Sequence, residues 1–96
     1  MQSQPSDLFL RSILRGYRTE AENGKIVTPS AIWDHIVILC LRTPGGFPLL
    51  FEWDKSKAKN INRIGTIRQC IAEGLVPGLE LVRDEKGREI VREVQP

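Results

Sequence analysis

The stretch from residue 62 to residue 75 places the strongest local constraint on the fold, because it carries both a start signal and a stop signal for a short helix. Thr66 and Gln69 have the spacing of a capping box, in which two side chains bond the free backbone N–H groups at a helix start. Gly74 supplies the stop, since glycine accepts the backbone conformation that follows a helix. The sequence therefore predicts a helix from about Thr66 to Gly74.

A β-hairpin pattern follows this helix directly. Residues 79–83 and 88–94 are two strand-like runs, and the four residues 84–87 join them. Gly87 ends this connection and can take the positive φ that a tight turn of this length demands. A short helix followed by a hairpin with a charged tip is the layout of a DNA-reading helix and its wing.

Composition is typical of a single folded domain. The chain has 96 residues, of which 41% are hydrophobic and 27% are charged, and these values are ordinary for a globular protein. The net charge of +2 permits nucleic-acid binding but is too small to argue for it alone. No apolar run approaches a membrane span, and the first residues lack the basic start of a secretory signal, so we expect a cytoplasmic protein.

The N-terminal part leaves two interpretations open. An amphipathic helix over residues 7–22, capped by Ser6 or Asp7, fits the spacing of the apolar residues. Gly16 is the weak point of that helix. The alternative ends the helix near Gly16 and makes residues 17–28 a hairpin around an Asn-Gly pair, which is a strong turn signal.

The middle of the chain begins with a helix-start signal. Thr28 can cap, and Pro29 fits the first helical position, where its missing N–H costs nothing. We expect a buried helix over residues 30–42, although a strand over residues 36–41 remains the alternative because that run is apolar and branched. Residues 47–53 alternate and predict a short strand.

These elements together predict an α+β, winged helix-like fold with an extra N-terminal helix. A short helix over residues 55–62, closed by Gly65, completes the predicted order of helix, short strand, helix, tight turn, helix and hairpin. Residues 1–28 then form an N-terminal extension, and residues 29–96 form the winged helix-like domain.

A resemblance to known proteins supports this arrangement. Residues 65–75, Gly-Thr-Ile-Arg-Gln-Cys-Ile-Ala-Glu-Gly-Leu, resemble the recognition helix of winged-helix regulators, excisionases and phage replication proteins. Residues 31–36, Ala-Ile-Trp-Asp-His-Ile, are similar to the buried first helix of such domains. The resemblance spans residues 29–94 and implies a DNA-binding, regulatory or phage-like role.

The predicted DNA contacts lie on the polar face of the Thr66 helix and at the hairpin tip. Arg68 suits guanine and Gln69 suits adenine at the major-groove edge, while Thr66 suits a phosphate. The alternative is a structural helix whose polar residues only face solvent. The full set of predicted nucleic-acid-binding residues is Lys55, Lys57, Lys59, Arg63, Thr66, Arg68, Gln69, Lys86 and Arg88.

Catalysis finds little support in this sequence. His35 is the single histidine and lies in the most apolar segment, where a core histidine is more common than a general base. Cys40 and Cys70 also lie among apolar residues and have no metal-ligand spacing, so we expect buried thiols. We expect a protein that is not an enzyme, with no cofactor and no metal.

The second functional hypothesis replaces double-stranded DNA by a protein partner. Arg11, Arg15 and Arg18 share one face of the first helix, which is commonly a solvated face. The alternative function is a non-catalytic protein-interaction module, such as an adaptor, an inhibitor or an assembly subunit. A helix over residues 30–42 favours the winged fold, whereas a strand there favours the module. Residues predicted for a homodimer surface are Leu10, Ile13, Leu14 and Tyr17.

Overall fold

The computed structural model describes residues 4–53 and 63–94. The helix predicted over residues 55–62 lies outside these ranges. The α+β class is confirmed, because the described residues form helices and an antiparallel hairpin. In chain order the elements are α1 (Asp7–Glu22), α2 (Pro29–Arg42), α3 (Gly46–Leu50), α4 (Ile64–Ala72), β1 (Leu79–Arg83) and β2 (Glu89–Glu93).

Helix α1 is continuous through its glycine. The Ser6 hydroxyl caps its start by accepting the Phe9 N–H at 3.2 Å. The Asn-Gly pair forms the end of the helix, with Asn23 as the C-cap and Gly24 at φ 73°. The predicted alternative of a hairpin at this pair is wrong. A positive φ serves a helix end as well as a hairpin turn, so the pair alone does not distinguish the two.

Gly16 lies where α1 packs against α2. A Cβ atom built on Gly16 lies 3.4 Å from Ile32 Cγ2 and 3.5 Å from His35 Cβ. Any side chain larger than alanine therefore pushes the two helices apart. The glycine that weakens the helix pattern in the sequence is the residue that lets α1 and α2 approach closely.

Helix α2 is the central element of the fold. It packs against α1, α3, α4 and β2, and its Ile32 and Ile36 are fully buried. The Thr28 hydroxyl accepts the Ala31 N–H at 3.1 Å, and Pro29 occupies the first turn. The predicted helix over residues 30–42 is confirmed, and the strand alternative is wrong.

Replacing Thr28 by Ala is expected to lower the free energy of unfolding by about 0.5–2 kcal/mol, because the Ala31 N–H loses its cap. Urea denaturation followed by tryptophan fluorescence measures this change. Thr28→Ser keeps the hydroxyl and serves as the matched control. Equal stability of the Ala and Ser variants would show that the cap contributes nothing here.

The short strand predicted over residues 47–53 is wrong. The chain forms helix α3, and the Phe51 N–H bonds the Phe47 carbonyl at 2.9 Å. Leu50 and Phe51 are neighbours in sequence and are both buried. A strand points neighbouring side chains to opposite faces, whereas one helical turn directs both toward the same core.

An aromatic cluster closes this part of the core. The Phe51 ring lies 5.0 Å from Phe9 and 6.2 Å from Trp53, measured between ring centroids. Trp33 of α2 lies 5.9 Å from Phe47 of α3. The cluster consists of Phe9, Trp33, Phe47, Phe51 and Trp53. It joins α1, α2 and α3 through tilted and stacked rings.

Helix α4 begins earlier than its sequence pattern predicts. Its first residue is Ile64, its N-cap is Arg63, and the cap makes no side-chain hydrogen bond to the helix. Gly65 and Thr66 consequently lie inside the first turn. The predicted capping box at Thr66 and the predicted turn at Gly65 are both wrong, because the chain enters the helix through the buried Arg63.

The predicted stop at Gly74 is confirmed. Gly74 has φ 74°, and its N–H bonds the Ile71 carbonyl at 3.1 Å. The Leu75 N–H bonds the Cys70 carbonyl at 3.0 Å. These two bonds form a Schellman motif, in which a left-handed glycine lets the chain satisfy the last carbonyls of the helix.

The predicted hairpin is also confirmed. Strands β1 and β2 pair antiparallel, with Leu79 opposite Glu93 and Arg83 opposite Glu89. Val27, between α1 and α2, forms a bridge to Val91 of β2, and the Val91 N–H bonds the Val27 carbonyl at 2.8 Å. The hairpin is thereby attached to the segment that connects the first two helices.

The core includes α1 together with the rest of the described chain. Ile13 and Tyr17 are buried, and Leu10 and Leu14 pack against the same core half-buried. The predicted homodimer surface is therefore corrected for Ile13 and Tyr17, which are covered within the chain, whereas Leu10 and Leu14 keep part of their side chains exposed.

Candidate nucleic-acid interface

The corner between α4 and the hairpin holds the residues predicted to read DNA. Arg68 of α4 makes two hydrogen bonds to the Glu89 carboxylate of β2, through Nε to Oε1 and through Nη2 to Oε2, the latter at 3.1 Å. These bonds lower the pKa of Glu89, and the carboxylate raises the pKa of Arg68. The pair stays charged at neutral pH and joins α4 to the hairpin beside its tip.

Asp84 organises the tip of the hairpin. Its carboxylate accepts the Lys86 and Arg88 backbone N–H groups at 2.9 and 2.8 Å, and it accepts Arg88 Nε at 2.8 Å. Partial burial works to raise the pKa of Asp84, but these hydrogen bonds outweigh it and the pKa is lowered. An ionised aspartate therefore holds the backbone of the tip and the Arg88 guanidinium in place.

The residues predicted to contact DNA differ in how far their side chains are exposed. Gln69, Lys86 and Arg88 are exposed, and Thr66 is half-buried. Arg68 has a side chain that is 50% exposed while it remains paired with Glu89. The lysines predicted to contact DNA, Lys55, Lys57 and Lys59, lie outside the described residues.

Arg63 does not lie on the surface. It is only 6% exposed, and its guanidinium carbon lies 5.7 Å from the centroid of the Phe51 ring. A guanidinium over an aromatic face is attracted by the ring electrons. The predicted nucleic-acid contact of Arg63 is therefore corrected: this residue lies at the start of α4, buried against Phe51 of the aromatic cluster.

Carboxylates of the hairpin pair with two of its own arginines and with one arginine of α4. Arg92 Nε donates to Glu80 across the two strands at 2.7 Å, and Arg68 and Arg88 have Glu89 and Asp84. Reasoning from the sequence missed Asp84 and Glu89 as partners. The signal for Asp84 was its position four residues before Arg88 across a predicted turn, whereas the pairing of Glu89 with Arg68 needs the packing of α4 on the sheet.

Residues capable of catalysis or metal binding are few in the part of the chain that the structure describes. Burial raises the pKa of the Cys40 thiol to about 11, so this thiol is not a nucleophile at neutral pH. Cys70 is also buried, as expected. Residues 4–53 and 63–94 contain no group of three or more His, Cys, Asp or Glu side chains placed to hold a metal.

No helix in the described ranges is both long enough and apolar enough to cross a membrane. Comparisons with protein-family models, with curated proteins and with solved structures found no match to this chain.

Proposed function

We propose that this chain is a small DNA-binding protein that inserts α4 into the major groove and uses the β1–β2 hairpin as a wing. The observation that carries this proposal is the Arg68–Glu89 ion pair, which joins the polar face of α4 to the strand beside the hairpin tip. Helix and ribbon therefore form one continuous surface. Such a surface suits a duplex, whose major groove admits a helix.

The order of the elements supports the same proposal. The stretch 29–42 is a helix, which favours the winged arrangement over a β-meander module. Val27, in the segment between α1 and α2, forms a β-bridge to Val91 of β2. Of the order that the resemblance implies, the described residues contain the helix over 29–42, the helix α4 and the hairpin that follows it.

In this proposal Arg68 exchanges its hydrogen bonds to Glu89 for hydrogen bonds to a guanine base. Glu89 occupies two donors of the guanidinium in the free protein, and the two acceptors on the guanine edge need the same bidentate geometry. A guanine can replace the carboxylate bond for bond, whereas thymine and cytosine offer a poorer match. Glu89 then raises selectivity, because only a well-matched base compensates for the lost ion pair.

Arg68→Ala and Glu89→Gln are expected to change DNA affinity in opposite directions. Loss of the guanine contact should weaken binding to the preferred site by about 10–100-fold, the equivalent of about 1–3 kcal/mol. Neutralising Glu89 releases Arg68 and removes a negative charge near the phosphates, so it should strengthen binding and reduce selectivity. Fluorescence anisotropy with a labelled duplex, after selection from random sequences, measures both effects.

Two further variants test whether the wing makes a specific phosphate contact or only adds positive charge. Lys86→Ala at the wing should weaken all sequences alike and reduce the slope of log affinity against log salt by about one unit. Arg92→Ala is the matched control, since Arg92 is also a hairpin arginine paired with a glutamate. Absence of duplex binding at about 50 mM salt would contradict the proposal, and so would equal effects of Arg68→Ala and Glu89→Gln.

A further inference from the structure

The exposed face of α1 carries three arginines whose surroundings differ from those of the hairpin arginines. Arg11, Arg15 and Arg18 are exposed and lie at i, i+4 and i+7 on one side of the helix. Across the described residues, no carboxylate forms an ion pair with any of these arginines. Within the described ranges these three arginines have no ion-pair partner, whereas Arg68, Arg88 and Arg92 each have one.

This face forms one wall of a groove, which we call the α1 groove. A depression of about 450 Å³ follows α1 past Arg11, Leu14, Arg15 and Arg18. A neighbouring depression of about 290 Å³ shares Leu14 and Arg18 with it. The larger depression is lined by α1 residues alone, whereas the smaller one has a second wall at the base of the hairpin, formed by Pro77, Gly78, Leu79, Glu93 and Val94.

The chemistry of the α1 groove argues against a nucleic acid as its ligand. Glu22 lines the first depression and Glu93 lines the second, each beside Arg18, and these carboxylates repel phosphates and acidic side chains alike, so only the apolar contacts separate the two kinds of ligand. Val94 on the second wall is 49% exposed and offers an apolar contact that a sugar-phosphate backbone does not use. A ligand with separated acidic groups and apolar side chains uses both walls.

The α1 groove also lies away from the proposed DNA surface. Its second wall is at the end of the hairpin where Leu79 pairs with Glu93, and the tip lies beyond the pair of Arg83 with Glu89. Strand residues advance about 3.3 Å each, so the two ends are separated by roughly 13 Å. A ligand in the α1 groove therefore leaves the wing tip accessible.

We propose that the α1 groove binds an acidic, partly apolar peptide segment of a partner protein. Successive side chains on one side of an extended peptide lie about 6.6 Å apart, and Arg11 and Arg15 are separated by about 6 Å along the helix axis. Acidic residues at alternate positions therefore meet the arginines in turn. The intervening apolar residues face the base of the hairpin, including Pro77 and Val94.

An NMR titration with a defined probe tests this proposal. The probe is a synthetic peptide of about ten alternating Glu and Leu residues, and a peptide of alternating Gln and Leu is its uncharged control. The acidic peptide should shift the amide signals of residues 11–19, 77–79 and 93–94. The uncharged peptide should leave them unchanged.

Variants of the groove separate this binding from a general charge effect. Arg15→Glu and Arg18→Glu should each weaken binding of the acidic peptide by about 3–10-fold, and Glu93→Gln should strengthen it. Arg42→Glu is the matched control, because Arg42 is an exposed arginine at the end of α2. The amide spectra of the variants alone verify that each one folds, and Arg15→Gln replaces Arg15→Glu if it does not.

The proposal is overturned by any of three results. The first is that the acidic peptide shifts no signals in the α1 groove. The second is that Arg15→Glu and Arg18→Glu bind the peptide as tightly as the wild type. The third is that a short DNA duplex shifts these α1 signals and loses affinity with Arg18→Glu, which would assign the groove to nucleic acid. None of these results depends on whether α4 reads DNA.

Discussion

Phe51→Ala is expected to lower the free energy of unfolding by about 3–5 kcal/mol, because it removes the central ring of the aromatic cluster. Phe51 is fully buried and lies within 6.5 Å of Phe9, Trp33, Phe47 and Trp53 between ring centroids. It also lies beneath the Arg63 guanidinium, which would lose its aromatic contact. Domains of this size have about 5–15 kcal/mol of stability in total, so the variant should be close to unfolding.

Urea denaturation measures the effect of Phe51→Ala, and Trp33 and Trp53 report it directly because both belong to the cluster. Phe51→Leu is the matched control: it keeps most of the apolar volume and should cost less than the alanine variant. Glu52→Ala changes the exposed neighbour and should stay within about 0.5 kcal/mol of wild type. A loss below about 1 kcal/mol for Phe51→Ala would mean that the ring does not lie at the centre of the core.

Ile71→Ala is expected to lower the free energy of unfolding by about 2–5 kcal/mol. Ile71 is 2% exposed and lies on the buried face of α4 with Ile67 and Cys70. That face packs against α2 and β1, so the deleted atoms leave a cavity between the helices and the sheet. Loss of this contact should weaken the attachment of α4, which carries the proposed recognition residues.

Gln69→Ala is the matched control for Ile71→Ala, because Gln69 lies on the same helix but is exposed. It should change stability by less than about 0.5 kcal/mol while it removes a proposed base contact. Both variants are compared by urea denaturation and by hydrogen exchange of the α4 amides. Equal stabilities for the two variants would show that α4 packs on a face other than the one that Ile67, Cys70 and Ile71 define.

Local signals in the sequence were sufficient where a few neighbouring residues decide the backbone. Thr28 and Pro29 start α2, because the hydroxyl cap and the fixed proline φ act within one turn. Gly74 ends α4, and Gly87 closes the hairpin at φ 80°, since both positions need a left-handed backbone. The order of helix and hairpin, and with it the α+β class, was therefore predictable.

The ion-pair partners of the arginines could be predicted from the sequence only in part. Glu80 and Arg92 face each other once the hairpin register is known, and the turn fixes that register. The partner of Arg68 is on another element, so its ion pair depends on how α4 packs against β2. The lack of an ion-pair partner for Arg11, Arg15 and Arg18 among the described residues is likewise a property of the folded surface, because it depends on which carboxylates the chain brings within reach.

By itself, the sequence determined the positions where the chain turns, caps and ends its elements, whereas only the tertiary structure decided which of several locally acceptable conformations formed. Residues 47–53 have the alternation of a strand, yet burying Leu50 and Phe51 on one side required a helical turn. Thr66 matches a capping pattern, yet the burial of Arg63 starts α4 earlier. The physical reason is magnitude: a cap contributes about 1 kcal/mol, whereas burial of a phenylalanine side chain contributes about 1.5–3 kcal/mol and prevails where the two conflict.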